Sequence, residues 1–170
     1  MNTFQAVDSK DFNNSPFHMI GNEWMLITAE KDGVVNTMTA SWGGLGVMWN
    51  MDVAFAVIRQ SRFTKELIDG ADSFSLSFLN HKKYQKELGY LGTVSGRTED
   101  KIKKANLNVN YQEGVPFIDE ADKVLICKKL FVQKMDTESF VLPDFGEKFY
   151  GNKDYHDLYI GGITSILTVC

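Results

Sequence analysis

Glu23–Trp42 reads EWMLITAEKDGVVNTMTASW, and this stretch decides the class of fold. EWMLITAE has the period of a strand. Lys31-Asp32-Gly33 is a turn signal. VVNTMTASW then reads as the partner strand, rich in β-branched residues. Further along, Gly43, Gly44 and Gly46 look like a glycine-rich link, and VAFAVIR (53–59) is an apolar strand. FSLSFL (74–79) alternates Phe74, Leu76 and Phe78 against Ser75, Ser77 and Leu79. KVLICKKLFVQKM (123–135) and LYIGGITSILTV (158–169) complete roughly six strands joined mostly by short links.

Helical patterns are few and short. Thr64 is placed to cap KELIDGA, with Leu67 and Ile68 inward. HKKYQKELGYLG (81–92) puts Tyr84, Leu88 and Leu91 on one face. Thr98 is placed to cap EDKIKKANL, with Glu99 and Asp100 in the favourable first turn. Residues 134–157 follow neither period and are expected to form a long irregular excursion. The reading is a single domain over 1–170, mainly β with flanking helices on an antiparallel sheet closed into a barrel.

Composition agrees with one globular unit. Of 170 residues, 44% are hydrophobic and 24% charged. Area scaling buries about 70% of the unfolded chain's surface, enough for a core without disulfides or a structural metal. No apolar run reaches the ~18 residues of a membrane span, and MNTFQAVDSKDFNNSP has no signal-like h-region. Eighteen basic against 22 acidic residues leave a net charge of −4, which argues against nucleic acid as a partner. Cys127 and Cys170 form no framework and read as reduced thiols of a cytoplasmic protein. His18, His81 and His156 are far apart and carry no metal spacing, and no serine is marked as a nucleophile. Neither a metal nor an acid–base catalytic residue is expected.

Three windows have ligand-binding chemistry. The chain has three arginines against fifteen lysines, and Arg59 and Arg62 fall in the window Ile58–Lys65, where a strand runs into a helix. A helix N-terminus with Ser61 and Thr64 hydroxyls and a guanidinium fork suits a phosphate. The same window serves as a solvated strand end with an ordinary helix cap. In the second window, Asn36–Gly44, Thr37, Thr39 and Ser41 share one strand face that ends at Trp42. Hydroxyls and a ring suit a flat heterocycle, and equally a solvent-facing threonine ladder. The third window, Leu91–Lys101, offers Ser95-Gly96 backbone donors and the charge of Lys101, or else a plain helix-to-helix turn.

In order and spacing, NTMTASWGG, VAFAVIRQSRFTKELI, FSLSFLN and LGYLGTVSGRTEDKI closely resemble the flavin reductase-like, FMN-binding split-barrel family, which includes the flavoredoxins. GVPFIDEADKVLICKK and HDLYIGGI extend the resemblance from about Phe17 to Thr168. It implies a six-stranded antiparallel Greek-key split barrel, a homodimer, and FMN as cofactor. By the resemblance, Asn36, Thr39, Ala40, Ser41 and Trp42 line the isoalloxazine and ribityl portion. Arg59, Ser61, Arg62 and Thr64 hold the phosphate with Phe63 packed nearby, and Asn80, Ser95, Gly96 and Lys101 complete the pocket. His156 lies near the place of the family's histidine beside the nicotinamide, in different neighbours. The implied activity is hydride or electron transfer through FMN, from NAD(P)H or a redox partner to a small-molecule or protein acceptor. An electron carrier without NAD(P)H turnover, and a flavin-free split-barrel interaction module, are the alternatives.

Overall fold

The turn signal at Asp32-Gly33 folds as its chemistry requires. Both residues take positive φ (52° and 78°), the two-residue hairpin turn that matches strand twist. The computed structural model describes residues 1–170. Its strands are β1 (Phe4–Val7), β2 (Met25–Lys31), β3 (Val34–Ala40), β4 (Gly43–Met48), β5 (Met51–Arg59), β6 (Ser73–Phe78), β7 (Val109–Gln112), β8 (Val115–Ile118), β9 (Lys123–Lys134) and β10 (His156–Val169). Its helices are α1 (Pro16–His18, continued by a π-turn over Met19–Glu23), α2 (Phe63–Gly70), α3 (His81–Thr93), α4 (Lys101–Lys104) and α5 (Pro143–Tyr150).

One eight-stranded antiparallel sheet runs β3-β2-β6-β9-β10-β5-β4, with β1 added on β10. α2 carries the chain from β5 to β6 past β10 and β9, a Greek-key crossover. β3 and β4 end the path, yet only Ser41 and Trp42 separate them in sequence. The barrel is split between these two edges. The mainly-β split barrel with flanking helices is thus the fold the sequence suggests.

Alternation along β2 and β6 feeds two cores. Met25, Ile27, Phe74 and Leu76 point into the barrel, where 18 buried residues cluster with Ile58, Cys127 and Tyr159. Leu26 faces outward into a second cluster of 14 with Leu88, Leu91, Ile102 and Phe117, under α3, α4 and the β7–β8 hairpin. Ser75 and Ser77 of β6 are therefore buried rather than solvated. Ser75 donates to the Pro116 carbonyl at 2.6 Å, and Ser77 accepts from the Ile118 N–H at 3.2 Å. Burying them is tolerable because each finds a backbone partner.

Several local expectations are corrected. The glycine link at 43–46 is strand β4, paired with β5 from Gly43 opposite Ala56 to Met48 opposite Met51. β1, β7 and β8 are further strands beyond the expected six. Arg62, not Thr64, is the residue before α2, and its side chain makes no cap bond. Asp100, not Thr98, caps the helix at 101 by accepting from the Lys103 N–H at 3.1 Å. The excursion 134–157 is not irregular throughout, for it holds a turn of 3-10 helix at Thr137–Ser139 and the eight-residue α5.

Candidate functional site

The site is built where β5 hands over to α2. Arg59 ends the strand, and Arg62 stands before the first helical residue. The first-turn N–H groups of α2 thus keep their positive end toward this turn. Asn36 on β3 reaches across and donates from Nδ2 to Thr64 Oγ1 at 2.8 Å, both side chains buried. From the other side, the turn after α3 brings Ser95 and Gly96 against Asn36. Any Cβ at position 96 would collide with the Asn36 amide, so only glycine allows this approach.

These elements enclose a cavity of about 320 Å³, lined by Asn36, Arg59, Ser61, Arg62, Phe63, Thr64, Ser95, Gly96 and Lys101 among others. Arg62 donates to the Gly92 carbonyl at 2.6 Å through one terminal nitrogen, leaving other donors of its fork uncommitted. Lys101 is only 3% exposed, and its ammonium donates to the Leu91 and Val94 carbonyls at 2.9 and 3.1 Å. Neither cation is ion-paired. Burial and the Arg62 charge push Lys101 down to about 8. Burial, then the Arg59 charge, also lower Arg62, with Asp154 opposing.

A second cavity of about 190 Å³ adjoins the first and shares Met38, Arg59 and Arg62 with it. Thr39, Ala40, Ser41, Trp42, Val57 and His156 form the rest of its wall. His156 lies 5.0 Å from the Trp42 ring centroid and is held by the Tyr150 hydroxyl, 2.8 Å from Nδ1. Burial and the Arg59 charge push His156 down to about 4, so it is neutral at pH 7. Phe149 of α5 packs edge-on against Trp42 at 5.8 Å, and Arg59 lies over the Tyr150 ring at 5.5 Å. α5 therefore covers the aromatic end.

Every residue expected at the site lines one of the two cavities except Asn80. Its side chain caps α3, accepting from the Lys83 N–H at 3.1 Å, and it stands outside both. The row of threonine hydroxyls also turns away. Thr37 Oγ1 donates to the Ile27 carbonyl at 3.2 Å, and Thr39 Oγ1 to the Leu88 carbonyl at 2.7 Å. What β3 gives the two cavities is Asn36, Met38 and Ala40, on the face opposite the threonine hydroxyls. Asp154, Tyr150 and Phe149 are the members that sequence reasoning missed. PDFGEKFY carries helix signals, a proline at the first position and Phe145–Phe149 spacing, but nothing local marks Asp154.

Two cations without a salt bridge at one end and aromatic rings at the other suit an anionic ligand with a flat ring system. The chain matches the family model described as "Flavin reductase like domain" over residues 17–169. Solved structures share the fold. The FMN-binding domain of a flavin reductases-like enzyme from Shewanella baltica OS155 has a TM-score of 0.71 at 16% identity, covering 99% of this chain and 78% of that one. Flavoredoxin from Methanosarcina acetivorans gives 0.65 at 24%, covering 85% and 67%. An FMN-binding protein from Thermus thermophilus gives 0.66 at 21%, covering 95% and 76%. No curated protein sequence matches the chain. The match spans both cavities and every strand of the barrel but β1, and the chain belongs to the flavin reductase-like domain family.

Proposed function

We propose that this chain is an FMN-dependent oxidoreductase that takes electrons from NAD(P)H or a redox partner and delivers them to an acceptor. The observation that carries the reading is the pair of Arg62 and Lys101, buried or half-buried at one cavity with no salt bridge to either. A buried cation is costly unless an anion compensates it, and a phosphomonoester supplies that anion. Bound FMN would supply the hydride and electron chemistry. Arg62, Thr64, Gly96 and Lys101 would hold its phosphate, and Met38, Ala40, Ser41 and Trp42 its ring. The backbone of Thr39–Trp42 would supply N–H donors to the ring, and neutral His156 would give a polar edge without a competing charge. No side-chain acid or base is assigned. A cytoplasmic setting suits the two free thiols.

A second reading, an electron carrier fed by a protein, draws on α5. Phe149 and Tyr150 crowd Trp42 and His156, where a second ring would enter. We also assign a second copy of this chain as partner. Val47, Met48, Trp49 and Met51 are exposed beside Leu130, Phe131 and Val132, with the Trp49 and Phe131 rings 6.3 Å apart.

The test is an absorbance spectrum of the purified protein with added FMN, then anaerobic NADH. Protein-associated flavin bands near ~370 and ~450 nm are expected. Rapid bleaching by NADH marks a reductase, and bleaching by dithionite alone marks the carrier. A protein that stays colourless with excess FMN overturns both and leaves the interaction module.

Lys101 gives the site a pH signature. A phosphate beside it favours the ammonium, so the bound-state pKa lies above the free value of about 8. FMN affinity should therefore rise as the phosphate loses its second proton near pH ~6, and fall as pH climbs past about 8. Fluorescence titrations from pH 5 to 10 read this directly, and Lys101→Met should abolish the alkaline fall.

A further inference from the structure

The cation-rich cavity already contains an anion of its own. Asp154 is the sole carboxylate among the residues that line it. Its two oxygens accept from Ser61, one from the backbone N–H at 3.1 Å and the other from the hydroxyl at 2.7 Å. Ser61 stands one residue before Arg62, so these donors belong to the same turn that presents the guanidinium. A carboxylate that takes an N–H and a hydroxyl beside arginines makes the contacts a phosphate oxygen makes.

Asp154 also ends the excursion that covers the aromatic cavity. Its carbonyl accepts from Arg59 Nη1 at 2.8 Å, and the Tyr155 carbonyl from the Gln60 N–H at 2.9 Å. The preceding Lys153 has φ of 59°, a left-handed conformation unusual for a side-chain-bearing residue. Upstream, Gly151, Asn152 and Lys153 are exposed, so the link to α5 has little packing of its own. The Asp154–Ser61 contact is thus a latch between the phosphate turn and the segment holding Phe149 and Tyr150.

We propose that Asp154 is a built-in occupant of the anion site, displaced from Ser61 by a ligand's phosphomonoester, and that this exchange loosens the segment 136–154 over the ring cavity. The inference rests on the FMN reading of the site. It makes Asp154 a determinant of ligand choice, because only a ligand bearing a phosphate opens the latch. Riboflavin has the same ring and cannot compete for Ser61. Binding energy from the remote phosphate is thereby spent on access to the ring.

Three observables test this on the full-length protein: FMN affinity, riboflavin affinity, and tryptic cleavage at the exposed Lys148 and Lys153. In the wild type, FMN should speed cleavage at these lysines several-fold and riboflavin should not. Asp154→Asn should bind FMN five- to twentyfold more tightly, should gain affinity for riboflavin, whose ring no longer meets a latched segment, and should be cleaved fast without any ligand. Ser61→Ala, which removes the hydroxyl donor alone, should also be cleaved faster. Unchanged or weaker FMN binding by Asp154→Asn, or FMN protecting the wild-type segment from trypsin, overturns the proposal. If neither protein binds FMN, the FMN reading itself fails. The latch then stands or falls on whether ligand-free Asp154→Asn is cleaved faster than wild type.

Discussion

Arg62→Ala is expected to weaken FMN binding by ~2–4 kcal/mol, the range for a partly buried, charge-assisted contact to phosphate. That is roughly 30- to 1,000-fold in Kd. The effect is large because Arg62 is half-buried between the two cavities and shared by both. Its bond to the Gly92 carbonyl fixes the side chain and leaves the rest of the fork for the ligand. Arg62→Lys should recover little, since a single ammonium supplies charge but not the planar fork. Arg97→Ala should matter less. Its side chain is 42% exposed and already engaged with Glu66 and the Ser61 carbonyl. Fluorescence titration of the three variants checks the ranking, with circular dichroism to establish that each is folded. Equal affinity in wild type and Arg62→Ala removes the phosphate assignment.

Gly161→Ala is expected to destabilise the barrel by ~1–3 kcal/mol, the usual cost of overpacking a filled core. For a chain of this length that is roughly 3–10 °C in Tm. The residue sits where the pairing of β10 with β9 shifts register, Ile160 opposite Phe131 and Gly161 opposite Lys129. A Cβ there would stand 2.7 Å from Phe74 Cζ and 2.8 Å from Cys127 Cβ, and Phe74 is fully buried. The extra residue, Leu130, lies on β9, so that strand bends beside Gly161 and the Phe74 ring fills the space a Cβ would take. Phe74→Leu is a rescue test, because it withdraws the ring atoms that the new methyl would meet. The double variant should lose less than the sum of the single losses, with ~0.5–3 kcal/mol of coupling. Simple additivity in thermal unfolding would show that the ring and the bulge are independent.

Much of this architecture is legible in the chain because its strands are buried on definite faces. Phe74, Leu76 and Phe78 alternate with serines, and the barrel interior selects the large residues. β4 escapes the reading for a physical reason. Gly43, Gly44 and Gly46 have no side chains to show a period, and pairing with β5 makes the strand. The cap of the helix at 101 lies two residues beyond Thr98 because threonine and aspartate compete for the same role, and Asp100 takes it. At the site, arginine scarcity and the 61–64 hydroxyls were informative. The threonine row misled because β3 is covered on its outer face by α3, where Leu88 offers a carbonyl to Thr39. Asp154 could not be found locally, since the Ser61 contact spans 93 residues.

The long strand β10 has a consequence for how the molecule comes into being. It alone pairs with β1, β5 and β9, so contacts from both ends of the sequence converge on it. During synthesis, β5 and β9 emerge with open edges and wait for their common neighbour. The ribosome must release His156–Val169 before either edge is protected, and until then the nascent chain offers unpaired strands to any other. Such non-local closure makes folding slow. Chaperones that shield exposed strand edges would meet this chain in its half-made state.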